Sequence, residues 1–182
     1  MPDRAFWLSS LSVQQKLLGL LADGQLHSGN ALAKALGVSR AAVWKQVAQL
    51  EKLGLQVHGQ AGKGYRLERS LELLDSQRIL EALPAEIRTR LGVLELLWET
   101  DSTSDYLIRS GRCEPNLSDV CVAEYQSGGR GRRGRQWFAP IGQGLCLSVA
   151  WNFPSAPPNL SCLGLAVGVA VLRAVRSCGN RG

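Results

Sequence analysis

Apolar residues recur at helical intervals through the first third of the chain. Between Leu11 and Leu21 the positions Val13, Leu17, Leu18, Leu20 and Leu21 form one stripe, with Ser12 as N-cap. After a polar break at Asp23-Gly24, Ser28 caps a second short helix carrying Ala31, Leu32, Ala35 and Leu36. Gly37 supplies the positive φ that ends it. Ser39 caps a third helix with Val43, Val47 and Leu50 at i, i+4 and i+7, closed by Gly54. Leu55-Gln56-Val57-His58, a glycine turn from Gly59 to Gly64, and Tyr65-Arg66-Leu67 then predict a β-hairpin. Further on, Ser70 to Leu83 reads as a helix ended by Pro84. The pattern predicts strands over 93–98, 120–124 and 145–153, and helices over 104–110 and 160–178. That order specifies an α+β chain whose second part holds a mixed, partly antiparallel sheet.

Three helices and a hairpin in about 65 residues describe a winged helix-turn-helix, assigned here to residues 1–68, with a linker helix region over 69–90. Charge strengthens this reading. The whole chain is +6, and all five lysines lie at or before Lys63. Residues 1–69 hold 9 basic and 4 acidic side chains, +5, whereas the remainder holds 12 and 11, +1. A polyanionic partner is therefore expected at the N-terminal end. On the third helix, Arg40 and Gln46 have donors suited to base edges, Lys45 suits phosphate, and Trp44 shares their face. Ser28 and Ser39 lie at helix N-termini that attract phosphate, and Lys63 sits at the tip of the wing. A small helical protein-interaction module with a solvated basic face is the competing reading.

With 45% hydrophobic and 20% charged residues the composition is that of a globular protein. Collagen-like, coiled-coil and low-complexity classes are excluded. The longest apolar stretch, 163–172, is shorter than a membrane span, and Met1-Pro2-Asp3-Arg4 does not begin a secretory signal. No membrane partner and a cytoplasmic location are the resulting expectations. The five cysteines lack CxxC spacing and read as reduced, mostly packing thiols. No protein-bound metal site is expected.

The most informative run is Gln126-Ser127-Gly128-Gly129-Arg130-Gly131-Arg132-Arg133-Gly134-Arg135-Gln136-Trp137, which lies between two predicted strands. Its glycines let backbone N–H groups approach an anion closely, and its arginines add planar, permanently charged donors. Four like charges in a row repel, so the loop is expected to stay mobile until anions arrive. It lacks the Gly-Lys-Ser/Thr ending of a Walker A loop and the spacing of a Rossmann fingerprint. An RGG-like patch that binds nucleic acid without sequence preference remains an alternative on composition.

Glu124-Tyr125-Gln126, the run from Gly129 to Arg135 and Trp137-Phe138 resemble the family of bifunctional biotin–protein ligases and biotin operon repressors. Asp101-Ser102-Thr103, Gly37-Val38-Ser39-Arg40-Ala41-Ala42 and Gly62-Lys63-Gly64-Tyr65 also match that family. The resemblance implies that residues 91–182 are the N-terminal part of a ligase catalytic domain related in fold to class II aminoacyl-tRNA synthetases. It implies synthesis of biotinyl-5′-AMP from biotin and ATP, with Mg²⁺ on the triphosphate. Transfer then goes to a lysine of the biotin carboxyl carrier protein of acetyl-CoA carboxylase. It also implies an adenylate-bound homodimer that binds the biotin operator DNA and represses biotin synthesis genes. By the same resemblance Ser102, Thr103, Ser104, Gln126, Arg130, Gly131 and Arg132 contact biotin. Arg132, Arg135 and Trp137 contact the nucleotide, and Arg130 and Arg132 assist catalysis. Taken without the resemblance, Ser102 and Thr103 read equally well as the N-cap of the helix that follows.

The family carries a Lys-Trp-Pro-Asn-Asp segment shortly after its long helix, and that segment has no match up to Gly182. The expectation is an N-terminal fragment with impaired catalysis. A non-catalytic, ligand-sensing winged-helix repressor is the alternative.

Overall fold

The computed structural model describes residues 12–111, 113–155 and 157–179. Leu11, the N-terminal Met1-Pro2-Asp3-Arg4 and the terminal Asn180-Arg181-Gly182 lie outside the described residues.

Helix α1 (Val13–Leu21) opens on a capping box: the Ser12 hydroxyl accepts the Gln15 N–H, and the Gln15 side chain accepts the Ser12 N–H. Helix α2 (Gly29–Leu36) is capped by Ser28, and α3 (Arg40–Lys52) by Ser39. Gly37 has φ +67°, a left-handed conformation that a side chain would strain. The hairpin pairs β1 (Val57–Gln60) antiparallel with β2 (Gly64–Leu67). His27 and Tyr65 exchange backbone hydrogen bonds at 2.9 Å, tying the wing to the start of α2. Leu17, Leu18, Leu21, Leu32, Val43, Val47, Leu50, Leu55 and Leu67 form the buried core of this head. They include every i, i+4, i+7 position expected on α3.

The linker differs from the sequence expectation. Helix α4 covers only Ser76–Ala82, because Asp75 accepts the N–H groups of Gln77 and Arg78 and caps it there. The preceding residues are held extended by two tethers. Leu71 N–H donates to the Ala22 carbonyl, and Leu74 N–H donates to the Glu124 carboxylate. After Pro84 a single turn, α5 (Ala85–Arg88), carries the chain into the sheet.

Strands β3 (Leu91–Thr100), β4 (Ser118–Gln126) and β5 (Cys146–Trp151) form a sheet in that order. β3 and β4 run parallel, joined by a crossover through α6 (Thr103–Ser110), and β4 and β5 run antiparallel. The class is α+β with a mixed sheet. One residue from this half belongs to the head: Ile141 is fully buried in the head's cluster. Phe138 and Pro140 close on Gly54, where an added Cβ would sit 3.1 Å from each.

Helix α7 (Leu163–Gly179) has no buried residue. Together with the single turn before it, 160–179 is long and apolar enough to cross a membrane by length and composition. The uninterrupted apolar run within it is still 163–172, and Arg173 and Arg176 follow. The thiols are all free, but only Cys121 is buried; Cys162 and Cys178 are exposed, so those two are not packing residues.

Candidate functional site

Because β3 and β4 are parallel and in register at Thr100 and Gln126, their C-terminal loops leave the sheet side by side. Such adjacent loops form the usual ligand crevice of an α/β arrangement. Two backbone hydrogen bonds join them: Ser127 N–H to the Thr100 carbonyl at 2.9 Å, and Gly128 N–H to the Asp101 carbonyl at 2.8 Å. The Asp101 carboxylate receives both Arg109 guanidinium nitrogens, at 2.9 and 2.8 Å, and the Ser102 N–H at 2.8 Å. First Arg109 and then the Ser102 N–H hold the Asp101 carboxyl well below the usual carboxylate range.

Ser102 is buried and caps α6, accepting the Asp105 N–H at 3.2 Å. The Gln126 Oε1 accepts both the Thr103 N–H at 3.0 Å and the Thr103 hydroxyl at 3.2 Å. Since a backbone N–H only donates, the carbonyl end of Gln126 must face Thr103, and its NH₂ group is turned away as a donor. The Thr103 hydroxyl also lies 2.8 Å from the Ser148 hydroxyl.

These groups border a cavity of about 670 Å³. Its polar side includes Ser102, Thr103, Ser104, Gln126 and Ser148; Trp137, Phe138, Leu145 and Leu147 give an apolar side, and Arg130 is its one cation among the described residues. Ser148 went unremarked in the sequence. Its signal is the alternation along β5, which exposes Leu147, Val149 and Trp151 and half-buries Cys146, Ser148 and Ala150. A hydroxyl on that half-buried face needs a partner.

The Gly/Arg run is folded, not open. Trp137 N–H donates to the Gly129 carbonyl at 2.8 Å, Arg130 bridges to Gln136, and Gly131 N–H donates to the Arg135 carbonyl at 2.6 Å. Arg133 (φ +62°) and Gly134 (φ +72°) turn the chain, as the paired positive φ values of a hairpin turn do. Gly129 allows this closure, since a Cβ there would collide with the Trp137 carbonyl. Backbone pairing thus folds the neck and the turn of a loop whose like charges repel. Arg130 pairs with Asp105. Among the described residues, Arg132, Arg133 and Arg135 form no salt bridge, and all three are exposed. Of the expected ligand residues the structure therefore brings Ser102, Thr103, Ser104, Gln126, Arg130 and Trp137 together; Gly131, Arg132 and Arg135 stand outside the cavity.

A second concavity, about 710 Å³, lies between the N-terminus of α2, α3 and the wing. Ser28, Arg40, Trp44 and Lys63 line it, and Trp44 is 61% exposed. Ser39, Lys45 and Gln46 are not in that lining. The Ser39 hydroxyl is occupied by the Ala42 N–H at 3.2 Å, and Lys45 is exposed.

A basic winged helix-turn-helix head is followed by a mixed sheet whose parallel strand ends carry the Gly/Arg loop beside the larger part's cavity. Comparison with known proteins agrees. Residues 13–66 match the HTH domain family, and residues 99–182 match the biotin/lipoate A/B protein ligase family. The chain is 40% identical over 173 residues to the bifunctional ligase/repressor BirA of Salmonella typhimurium, covering 94% of this chain and 52% of that protein. It is likewise 40% identical over 169 residues to that of Escherichia coli, covering 92% and 50%. The biotin–[acetyl-CoA-carboxylase] ligase of Mycobacterium tuberculosis is 37% identical over 84 residues, 45% of this chain and 32% of that protein. Over most of its length the chain is thus similar to bifunctional ligase/repressors. It spans about half the length of the relatives it matches.

Proposed function

We propose that this protein makes biotinyl-5′-AMP from biotin and Mg–ATP and passes the biotinyl group to a lysine of a biotin carboxyl carrier protein. With the adenylate bound, it acts as a homodimeric repressor at operator DNA of biotin synthesis genes. The observation that carries this reading is the single cavity where the Thr103–Gln126–Ser148 network, an apolar wall and Arg130 of the Gly/Arg loop meet. Such a pocket suits a ligand with a hydrogen-bonding ring, an apolar body and an anionic end.

In the first step a biotin carboxylate oxygen attacks the α-phosphorus of ATP, an O–P bond forms, and pyrophosphate leaves with the electrons of the broken P–O bond. Two anions must approach each other, and Arg130 at the cavity, joined by Arg132 on loop closure, offsets that repulsion. Gln126 and Thr103 hold the ring so that the carboxylate is aimed at the nucleotide. In the second step a lysine amine attacks the acyl carbon, AMP departs, and the amine proton passes to solvent. Among the described residues no cluster of His, Cys, Asp and Glu is arranged to hold a metal ion; Mg²⁺ enters with ATP as part of the substrate. On the head, Ser28, Arg40, Trp44 and Lys63 meet DNA around their shared concavity, and Ser39, Lys45 and Gln46, from α3 and its cap, add contacts outside it.

The test supplies the protein with biotin and Mg–ATP and follows biotinyl-5′-AMP by mass spectrometry, alongside operator footprinting. The adenylate is expected to form, more slowly in a chain without the Lys-Trp-Pro-Asn-Asp segment, and Arg40→Ala is expected to weaken specific operator binding by about 1–3 kcal/mol. Biotin binding without adenylate would favour the non-catalytic sensor. An Arg40→Ala footprint identical to that of the unsubstituted protein would remove Arg40 as a base reader.

A further inference from the structure

Of the four arginines in the loop, Arg130 alone is held by a carboxylate among the described residues, and that carboxylate comes from a different element. Asp105 lies in the first turn of α6, three residues after the cap Ser102. Its backbone N–H is taken by the Ser102 hydroxyl, and its side chain meets the Arg130 guanidinium. Asp105 does not line the cavity, whereas Arg130 does. The pair therefore stands on the rim, joining the helix turn that presents Ser102 and Thr103 to the first arginine of the loop.

We infer that Asp105 is a positioning residue, which pins Arg130 over the cavity so that its remaining donors meet the ligand's anion. The inference rests on the ligand reading above and names a residue that reading does not use. A guanidinium has five N–H donors in a rigid fork, and the Asp105 contact is made through one terminal nitrogen. The other donors remain for a carboxylate or phosphate. An arginine with no such partner would sample many rotamers and repel its neighbours Arg132 and Arg133, and this freedom would have to be given up when ligand binds. Pinning it in advance removes that cost. The pin also spans the neck of the loop, because Arg130 is bridged to Gln136 just before Trp137 of the apolar wall. One carboxylate thereby steadies both the cationic and the aromatic borders of the cavity.

The experiment compares the unsubstituted protein with Asp105→Asn and Asp105→Glu by two readouts. The first is the rate of tryptic cleavage after Arg130, Arg132, Arg133 and Arg135 without ligand, mapped by mass spectrometry. The second is the dissociation constant for biotin by calorimetry, with Tm as the control for folding. Asp105→Asn is expected to speed loop cleavage and to weaken biotin binding about tenfold, the size of change that loss of one charge-assisted contact brings. Tm should not change, and Asp105→Glu should restore both readouts. Unchanged loop cleavage in Asp105→Asn overturns the pin. Faster cleavage with unchanged biotin affinity overturns its bearing on the ligand. If the unsubstituted protein binds no biotin, the ligand assignment itself fails, while loop cleavage still decides whether Asp105 holds Arg130. Should Asp105→Asn lower Tm, Arg130→Lys, which leaves α6 intact, supplies the same cleavage comparison.

Discussion

Thr103 performs two tasks at one position: its backbone enters α6, and its hydroxyl joins Gln126 to Ser148. From sequence, Ser102 and Thr103 read equally as a cap or as ligand contacts, and the structure shows why both readings arise. Ser102 spends its hydroxyl on the cap, while Thr103 faces the cavity with its partners on two strands. Ser148 was illegible because its partner lies 45 residues away and only strand order brings them together. Glu124 is a second case. It was visible as motif text, yet its burial and its tether to Leu74 N–H depend on the path of the linker. Burial raises its pKa above the ordinary 4.5, opposed by the Leu74 hydrogen bond. A carboxyl with a raised pKa binds its proton more tightly when folded. Its stabilising contribution is complete below the ordinary value and is lost as pH rises through the raised one. Glu124→Gln keeps an acceptor for Leu74 without the buried charge. Its Tm is therefore expected to exceed that of the unsubstituted protein at neutral pH, with the gap closing as pH falls toward 4.5. A gap that widens on acidification would contradict the buried-charge explanation.

Elements whose ends are fixed by local chemistry were legible. Ser12, Ser28 and Ser39 cap the three helices at the expected residues, because a serine hydroxyl satisfying an N–H of the first turn needs no distant partner. The linker was not legible: its periodicity suggests a helix from Ser70, but Leu71 and Leu74 donate their N–H groups to Ala22 and Glu124 instead. The Gly/Arg loop was legible in chemistry and not in shape. Like charges argue for a mobile loop, and they do not announce the folded neck and turn that the close approach at Gly129 and the positive φ at Arg133 and Gly134 allow. Gly129→Ala is accordingly expected to open the neck and to speed tryptic cleavage of the loop severalfold. Unaltered cleavage would show that the neck does not depend on that glycine.

At the scale of the whole molecule, the head and the sheet share a core. Ile141, fully buried among head residues, is the apolar end of a segment that begins at the loop's Trp137. No periodicity within either region announces this contact, because a single apolar residue in a loop carries no pattern. Ile141→Ala should create a cavity in the head and lower its stability by about 2–5 kcal/mol, measured by denaturant unfolding. A loss near zero would mean that the segment does not seat in the head.

The loop and cavity together make one claim, that the Gly/Arg run clamps a biotinyl-adenylate held by Gln126 and Thr103. Stopped-flow dissociation of biotinyl-5′-AMP from the protein and from Arg132→Ala tests it most directly. Slow release from the unsubstituted protein, with release from Arg132→Ala faster by tenfold or more, a change of about 1.4 kcal/mol, is the expected result. Equal release rates, or no binding of the adenylate, would contradict it.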